Sequence, residues 1–190
     1  MRTFIAIELP IQLKEKLSQL QEGLKASNGD VKWVEPKNIH LTLKFLGELE
    51  LEKIKKVEAL LEEIAKTHTS YSTTLSEVGT FPRSGLPRVI WVGVSKGESE
   101  TKKIAEDIEA KAAKIGINKE KRLFSSHITI GRVRSGKNST KLLQELARLK
   151  SFPRDARMEF TVTKITLFKS TLTPQGPIYE IVKEAHLTSI

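Results

Sequence analysis

Two histidine-centred motifs contain the residues of this chain that are best suited to chemistry. The sequence reads HLTLKFLG at residues 40–47 and HITIGR at residues 127–132, so His-x-Thr occurs twice, 87 positions apart. A histidine with its ordinary pKa near 6.5 can accept or donate a proton around neutral pH. A neutral imidazole could remove a proton from an attacking oxygen while a protonated one donates to a leaving oxygen, as phosphodiester cleavage requires.

Two threonines and one arginine could complete such a site. The hydroxyls of Thr42 and Thr129 can each donate a hydrogen bond to a non-bridging phosphate oxygen, where negative charge must be held. Arg132 follows three residues after Thr129. Strict strand alternation places Arg132 on the opposite face, but Gly131 could supply a bulge or twist that turns the guanidinium towards the phosphate.

Strand geometry predicts that each motif has one polar and one apolar face. Residues two apart on a strand share a face, so His40 and Thr42 point one way, as do His127 and Thr129. The alternate positions are apolar and are predicted to face a core: Ile39, Leu41, Leu43, Ile128 and Ile130. The polar pairs must then face water or a cleft, because a buried polar group without a partner costs about 1 to 3 kcal/mol.

The offset of 87 residues superimposes more than the two motifs. Ile5–Ile7 falls on Val92–Val94, Phe4 on Trp91, Val78 on Ile165 and Phe81 on Phe168. Each half reads strand, helix, strand with His-x-Thr, helix, strand. We therefore predict one two-lobed domain over residues 1–190, with an internal repeat over about 1–87 and 88–190 and lobes that can exchange terminal strands. A pseudo-two-fold axis between the lobes would let both His–Thr pairs face one cleft.

Hydrophobic periodicity and turn residues predict the elements that position the motifs. Helices are predicted near residues 11–26, 50–67, 98–115 and 138–150. Strands are predicted near 2–9, 31–34, 38–46, 71–80, 88–95, 121–133, 157–168 and 177–187.

The composition limits the classes of function. The chain has no cysteine, which excludes disulfides, thiolate catalysis and cysteine-based zinc sites. Of the net charge of +9, the whole excess lies after residue 87, where 20 Lys and Arg oppose 11 Asp and Glu, against 12 and 12 before it. An anionic partner or a solvated basic face explains this equally well. Neither a membrane-spanning stretch nor a signal peptide is recognisable, so we expect a cytoplasmic protein without membrane partners.

Two other histidines are interpreted differently. His186 stands in a third His-x-Thr triplet, but the position 87 residues earlier is Ser99, so it has no partner motif. We expect His186 to lie away from the site, and His68, in the polar run KTHTS, to be exposed. A single His-x-Thr on a strand is more often structural, and its occurrence at two matching places is what favours catalysis.

The chain resembles the two-histidine phosphoesterase superfamily, and within it the bacterial and archaeal RNA 2′,3′-cyclic phosphodiesterases, also called 2′-5′ RNA ligases. The segments that carry the resemblance are MRTFIAIELP, WVEPKNIHLTLKFLGE, FPRSGLPRVIWVGV and FSSHITIGRVR. The resemblance implies an α+β, bilobal, duplicated fold with two antiparallel sheets around a central cleft and helices on the outer faces.

The resemblance also implies roles for individual residues. His40 would be the proton donor and His127 the proton acceptor, with Thr42, Thr129 and Arg132 near the phosphate and a 2′-phosphate as the product. Phe45 and Arg134 are further candidates for substrate binding, with core packing as the alternative for Phe45. The basic residues Lys121 and Arg122, which precede the second motif, are candidates for contact with RNA phosphates.

Several alternatives remain open at the level of sequence. The same acid–base pair could join RNA ends through a 2′-5′ linkage, which is the reverse of cleaving that linkage, or act on a small cyclic nucleotide. A non-catalytic RNA-binding module would explain the basic second half but not the paired motifs. No Asp/Glu cluster typical of two-metal phosphodiesterases and no Walker loop is recognisable, so no metal and no other cofactor are expected. We expect a monomer that binds RNA with cyclic phosphate or nucleotide ends.

Overall fold

The computed structural model describes residues 1–149 and 158–189. Its helices are α1 (Ile11–Lys25), α2 (Leu51–Thr67), α3 (Glu98–Lys114) and α4 (Ser139–Leu149), and a short 3-10 turn spans Pro36–Asn38. Its strands are β1 (Arg2–Glu8), β2 (Val31–Trp33), β3 (His40–Glu48), β4 (Tyr71–Phe81), β5 (Val89–Val94), β6 (His127–Val133), β7 (Glu159–Val162), β8 (Lys164–Thr173) and β9 (Gly176–His186). Within the described residues, no helix is long and apolar enough to cross a membrane.

The strands form two sheets that share elements from both halves of the chain. One sheet has the order β3-β1-β8-β9 and the other the order β2-β6-β5-β4-β7. All neighbouring strands are antiparallel. Strand β4 of the first half lies in the sheet of β6, whereas β8 and β9 of the second half lie in the sheet of β3. The prediction of an α+β fold with two antiparallel sheets is confirmed.

Burial of the apolar strand faces fixes the direction of the two motifs. The five apolar residues predicted to face the core are at most 5% exposed: Ile39, Leu41, Leu43, Ile128 and Ile130. Helices α1 and α3 cover the core with leucines and isoleucines at three-to-four spacing. A one-residue slip of β3 would turn its apolar residues to solvent, at a cost of about 1.5 to 3 kcal/mol each. The histidines and threonines therefore face away from the core.

Three predicted strands differ from the observed ones. Residues 121–126 form a loop rather than the start of a strand, because β5 pairs with β6 only as far as Gly93 opposite His127 and ends one residue later, at Val94. The predicted strand 157–168 is two strands, since the chain passes from one sheet to the other at Thr163. The turn at Pro36–Asn38 delays the start of β3 to His40. Residue 150, the last of the predicted helix 138–150, and residue 157, the first of the predicted strand 157–168, lie outside the described residues.

Candidate active site

The two histidines stand at the start of neighbouring strands. His40 is the first residue of β3 and His127 the first residue of β6. These strands belong to different sheets, yet Cα atoms of β3 and β6 approach within 8 Å of each other. Parts of β3 and β6 thus lie close together across the two sheets, and each of these strands begins with its His-x-Thr motif.

Both imidazoles are held by the same backbone contact. Nδ1 of His40 lies 2.7 Å from the carbonyl oxygen of Asn38, and Nδ1 of His127 lies 2.7 Å from that of Ser125. A carbonyl oxygen can only accept, so Nδ1 carries a hydrogen in both rings. Nε2, which has no hydrogen-bond partner among the described residues in either ring, is left to accept or donate the reacting proton.

The two threonines accompany the histidines on the same strand faces. Thr42 and Thr129 are both partly exposed. Within the described part of the chain, neither hydroxyl is hydrogen-bonded to another residue. Two hydroxyl donors are therefore available to an incoming anion beside the two Nε2 atoms.

A bulge in β6 turns Arg132 to the histidine face. Strand β5 pairs with Thr129 and then with Gly131, which leaves Ile130 as an extra residue. Ile130 and Gly131 are both buried, and the exposed Arg132 therefore shares the face of His127. Strict alternation does not hold at Arg132, and the bulge that Gly131 was predicted to allow is present.

A buried glutamine of α1 supports this bulge. The side-chain nitrogen of Gln21 donates hydrogen bonds to the carbonyl oxygens of Val34 and Ile130, each at 2.8 Å. Glycine is needed at the next position, because a Cβ atom on Gly131 would lie 2.9 Å from a methyl carbon of Val31. The side that Arg132 faces thus depends on packing from α1 and β2.

Strand β3 contains the matching bulge. Its partner β1 passes over Leu43, so that Leu43 and Lys44 are consecutive buried residues. Phe45 consequently shares the face of His40 and is 55% exposed, so the core-packing alternative for Phe45 is wrong. Phe45 stands 87 positions before Arg132, and the two side chains hold equivalent places in the two motifs.

The buried cation of the β3 bulge connects the two halves. Lys44 Nζ lies 2.6 Å from Glu109 Oε2 of α3 and donates a hydrogen bond to the carbonyl oxygen of Asn118 at 3.1 Å. The other oxygen of Glu109 accepts the backbone N–H of Glu120 at 2.8 Å. Lys44 thus fastens β3 to the segment that leads towards β6.

Aromatic rings from both halves surround His40. The ring centroid of His40 lies 4.8 Å from Phe4, 6.4 Å from Phe168 and 5.4 Å from Tyr179, whose ring meets the imidazole edge-on. Phe4 and Phe168 are themselves stacked at 5.2 Å. Tyr179 and Phe168 come from the second half of the chain, so the exchanged strands complete the surroundings of His40.

Burial makes His40 hard to protonate in the ligand-free protein. The pKa of His40 is lowered to about 4, mainly by the loss of hydration; the hydrogen bond to Asn38 opposes this shift, and the charge of Lys14 adds to it. This pKa is well below the value near 6.5 expected for an exposed histidine. The neutral form of His40 therefore dominates near pH 7.

A cavity of about 260 Å³ opens beside the His40 ring. Aromatic and aliphatic side chains form part of its wall, and two lysines and Glu8 also line it. Its lining includes Lys14, Lys37, Asn38, Phe168, Ile178, Tyr179 and Ile181. An apolar wall next to basic groups suits a nucleoside with an attached phosphate.

The surroundings of His127 are built from equivalent residues but are more open. Phe81 meets the imidazole edge-on at 5.2 Å and lies 5.1 Å from Trp91. The indole of Trp91 packs against Gly79 and Gly93. A Cβ atom added to Gly79 would lie 2.3 Å from the indole, and one added to Gly93 would lie 3.3 Å from it. Phe81 and Trp91 are the counterparts of Phe168 and Phe4 at the offset of 87 residues.

Sequence reasoning used these aromatic residues only as evidence for the repeat and missed their place at the site. The available signal was that the aromatic positions, as well as the histidines, recur at the same offset. Tyr179 gave no such signal, because its approach to His40 depends on the position of β9 in the other half's sheet.

The predicted basic residues fall into two groups. The charge of Arg132 reaches Tyr179, where it lowers the pKa of the phenol against the larger effect of burial, which raises it. Arg132 thus lies on the strand of His127, and its charge influences Tyr179, which is next to His40. Lys121 and Arg122 are exposed in the loop before β6, and Arg134 follows β6, where its N–H donates to the Asp30 carbonyl at 2.8 Å. Their contact with substrate stays a prediction.

The remaining histidines lie outside this arrangement. The expectation that His68 is exposed is wrong: its side chain is 16% exposed and its Nε2 lies 2.7 Å from a carboxylate oxygen of Asp107. His186 lies on β9 opposite Lys164, with β8 and β1 between it and β3. Across residues 1–149 and 158–189, no three acidic or histidine side chains cluster as metal ligands.

Comparison with known proteins identifies the family. The model of the LigT-like phosphoesterase family matches residues 7–91 and 92–179, and each segment contains one His-x-Thr motif. The chain belongs to this family. An RNA 2′,3′-cyclic phosphodiesterase of Methanocaldococcus jannaschii is 39% identical over 184 residues, which cover 97% of this chain and 99% of that protein.

Solved structures of other LigT-like phosphoesterases have the same fold. TT0787 of Thermus thermophilus superimposes with a TM-score of 0.81 at 26% identity, covering 100% of this chain and 99% of that one. LigT of E. coli in complex with 3′-AMP superimposes with a TM-score of 0.78 at 27% identity, covering 98% of both chains.

Proposed function

We propose that this protein hydrolyses the 2′,3′-cyclic phosphate ends of RNA to 2′-phosphates, with His40 and His127 as proton donor and acceptor and without a metal ion. The observation that carries the proposal is the pair of adjoining His-x-Thr strands, each with Nδ1 bound to the backbone and Nε2 free. The relatives named RNA 2′,3′-cyclic phosphodiesterase, which match almost the whole chain, support the substrate class.

The proposed reaction is one in-line displacement at phosphorus. His127 Nε2 takes a proton from water as the water oxygen bonds to phosphorus, and His40 Nε2 gives a proton to O3′ as the P–O3′ bond breaks. The phosphate remains on O2′. The hydroxyls of Thr42 and Thr129 and the guanidinium of Arg132 stabilise the negative non-bridging oxygens.

The substrate itself would prepare His40 for its role. A proton donor must be charged before the reaction, whereas burial lowers the pKa of His40 to about 4 without ligand. A phosphate anion next to the ring stabilises the imidazolium and raises its pKa. Binding of the cyclic phosphate and protonation of His40 are then coupled. In the protein without substrate, His40 is neutral.

The nucleoside that bears the cyclic phosphate would occupy the side of His40. The cavity there offers the apolar walls of Phe168, Ile178 and Tyr179, and Phe45 is exposed on the same face of β3. Aromatic side chains stack on bases with little sequence preference. This placement leaves the attacking water on the side of His127.

Product analysis of one defined substrate tests the proposal. An oligoribonucleotide ending in a 2′,3′-cyclic phosphate should be converted, in the presence of EDTA, to a terminal 2′-phosphate detected by phosphorus NMR. His40→Ala and His127→Ala should each slow conversion by about 10² to 10⁴, and His186→Ala, which alters the triplet outside the site, should leave the rate unchanged. A 3′-phosphate as the main product would reverse the substrate orientation and the two histidine roles.

The same assay separates the alternatives. Adding an RNA with a 5′-hydroxyl end would reveal ligation as a joined product. Conversion of a 2′,3′-cyclic mononucleotide but not of the oligonucleotide would indicate a small-molecule phosphodiesterase. RNA binding without any conversion of cyclic phosphate would contradict the enzyme and favour a binding module.

A further inference from the structure

Lys32 has a position that the residues of the two motifs do not explain. It lies on β2, an edge strand, directly opposite Arg132 of β6. Directly opposite residues of antiparallel strands point to the same face, with Cβ atoms about 4.5 to 5.5 Å apart. Because the β6 bulge turns Arg132 to the face of His127, the exposed Lys32 side chain faces that side too.

The pairing of Lys32 with Arg132 has no internal counter-charge. Like charges directly opposite each other destabilise a sheet. In the part of the chain that the structure describes, neither residue forms an ion pair, and the nearest acidic residues along the chain have other partners. Glu35 pairs with Lys37 at 3.0 Å, and Asp30 accepts a hydrogen bond from Ser135 at 2.8 Å. A bound anion could therefore supply the counter-charge of Lys32 and Arg132.

The distance from the histidines suggests which anion this is. With Ile130 bulged out, Arg132 and Lys32 lie four strand steps from His127, which at the usual rise is about 13 Å between Cα positions. The long Arg132 side chain can reach back towards the phosphate at the histidines, whereas Lys32, on the edge strand beyond it, is placed for a phosphate further along an oligonucleotide.

We propose that Lys32 binds a second backbone phosphate of RNA, next to the reacting cyclic phosphate, with Arg132 between the two. The proposal rests on the proposed function and extends it, because it adds a subsite for the phosphate next to the cyclic end. Phosphate binding itself does not depend on catalysis, and it can be measured separately.

Steady-state kinetics of Lys32→Gln with two substrates test the subsite. For an oligoribonucleotide with a 2′,3′-cyclic phosphate, KM should rise about fivefold with kcat unchanged, as expected for loss of one phosphate contact. For a 2′,3′-cyclic mononucleotide, which has one phosphate, both constants should be unchanged. Lys32→Arg should resemble the wild type, and Lys103→Gln, at an exposed lysine of α3, is the matched control.

Binding and stability give two further readouts. With an unreactive labelled RNA that ends in a 3′-hydroxyl, Lys32→Gln should reduce the slope of log affinity against log salt by about 0.7. The melting temperature of the free variant should be equal or higher, because a like-charge repulsion is removed. A lower melting temperature would indicate a structural role and would overturn the proposal.

The outcomes distinguish failure of the subsite from failure of the proposed function. Equal effects of Lys32→Gln on both substrates, or no effect on either, would overturn the subsite while the hydrolysis stands. If the protein opens no cyclic phosphate, but Lys32→Gln reduces the salt slope of RNA affinity by about 0.7, the subsite stands and the hydrolysis is refuted.

Discussion

The two histidines share one backbone contact but differ in what surrounds their rings. His40 is enclosed by Phe4, Phe168 and Tyr179, whereas Phe81 approaches His127 at one edge. Burial favours the neutral ring at His40 until an anion arrives. Different surroundings allow two similar imidazoles to perform opposite proton transfers.

Replacement of the histidines should show that they act as a unit. His40→Ala and His127→Ala should each lower kcat for the cyclic phosphate by about 10² to 10⁴. The double variant should be little slower than either single variant, because loss of one partner already prevents the concerted transfer. Single-turnover rates of the three variants measure this, and multiplicative losses would show independent roles. Unchanged melting temperatures of the His40 and His127 variants would confirm that folding is intact.

The titration of His40 should depend on ligand. In the free protein, proton NMR should find the His40 midpoint at about pH 4. Addition of inorganic phosphate should raise this midpoint, because the anion stabilises the imidazolium. A midpoint that does not move with phosphate would separate His40 from the anion site.

The same pKa has a consequence for stability. The unfolded state binds a proton at His40 more strongly than the folded state, so the contribution of His40 to stability is complete above about pH 6.5 and is lost as the pH falls towards 4. The loss is about 3 kcal/mol. Urea unfolding should show the wild type losing about that much stability relative to His40→Gln between about pH 6.5 and 4, and parallel stability curves for the two proteins would contradict it.

At the scale of elements, strand alternation predicted the directions of His40, Thr42, His127 and Thr129. It did not predict the directions of the residues that follow the bulges in β3 and β6. The bulge that redirects Arg132 had a local sign in Gly131. The matching bulge in β3 has no glycine, and it is occupied by Lys44, whose burial depends on a carboxylate 65 positions away. Such a long-range partner cannot be read from local pattern, and neither can the change of sheet between β7 and β8.

The contact between Lys44 and Glu109 should matter most when only one partner is removed. Glu109→Gln leaves the buried Lys44 ammonium without its counter-charge and should lower the free energy of unfolding by about 3 kcal/mol. Lys44→Met removes the buried charge and should cost less. Guanidinium denaturation measures both.

The double variant Lys44→Met/Glu109→Gln supplies the control. It should be more stable than Glu109→Gln alone, since no charge remains buried. Equal destabilisation by the single and double variants would show that β3 is held by packing rather than by this ion pair. Glu106→Gln, which affects an exposed α3 contact to Lys102, should be close to the wild type.

For the whole molecule, the uneven charge predicts an ionic component of RNA binding. The second half carries the excess of basic residues, and Lys121, Arg122 and Arg134 adjoin the second motif. Affinity for RNA should fall with added salt, and the triple replacement of these residues by Gln should reduce the salt slope by about 0.7 for each lost contact. Fluorescence anisotropy measures this, with Lys102→Gln/Lys103→Gln on α3 as the control. A slope that stays the same would make these three residues ordinary solvated charges.

The internal repeat remains a prediction from one offset, at which side-chain type recurs at the histidines and at the aromatic positions. The sharing of strands between sheets could be anticipated only as a possibility. The sharing arises because β8 pairs with a free edge of β1 and β4 with a free edge of β5. Pairing between strands that are distant in sequence cannot be recognised from the sequence of either strand alone.

The shared strands also bear on how such a molecule could have originated. A half-length chain that folded by itself would leave the place of β4 or of β8 beside its own sheet empty, with an exposed edge. Two copies could fill both places by trading that strand, as in a domain-swapped dimer. Only the pair would bring an aromatic ring of one copy to the histidine of the other, as Phe81 does for His127 here. Gene fusion would then have preserved an arrangement that began between molecules, and the loop 82–88 would be the trace of the join.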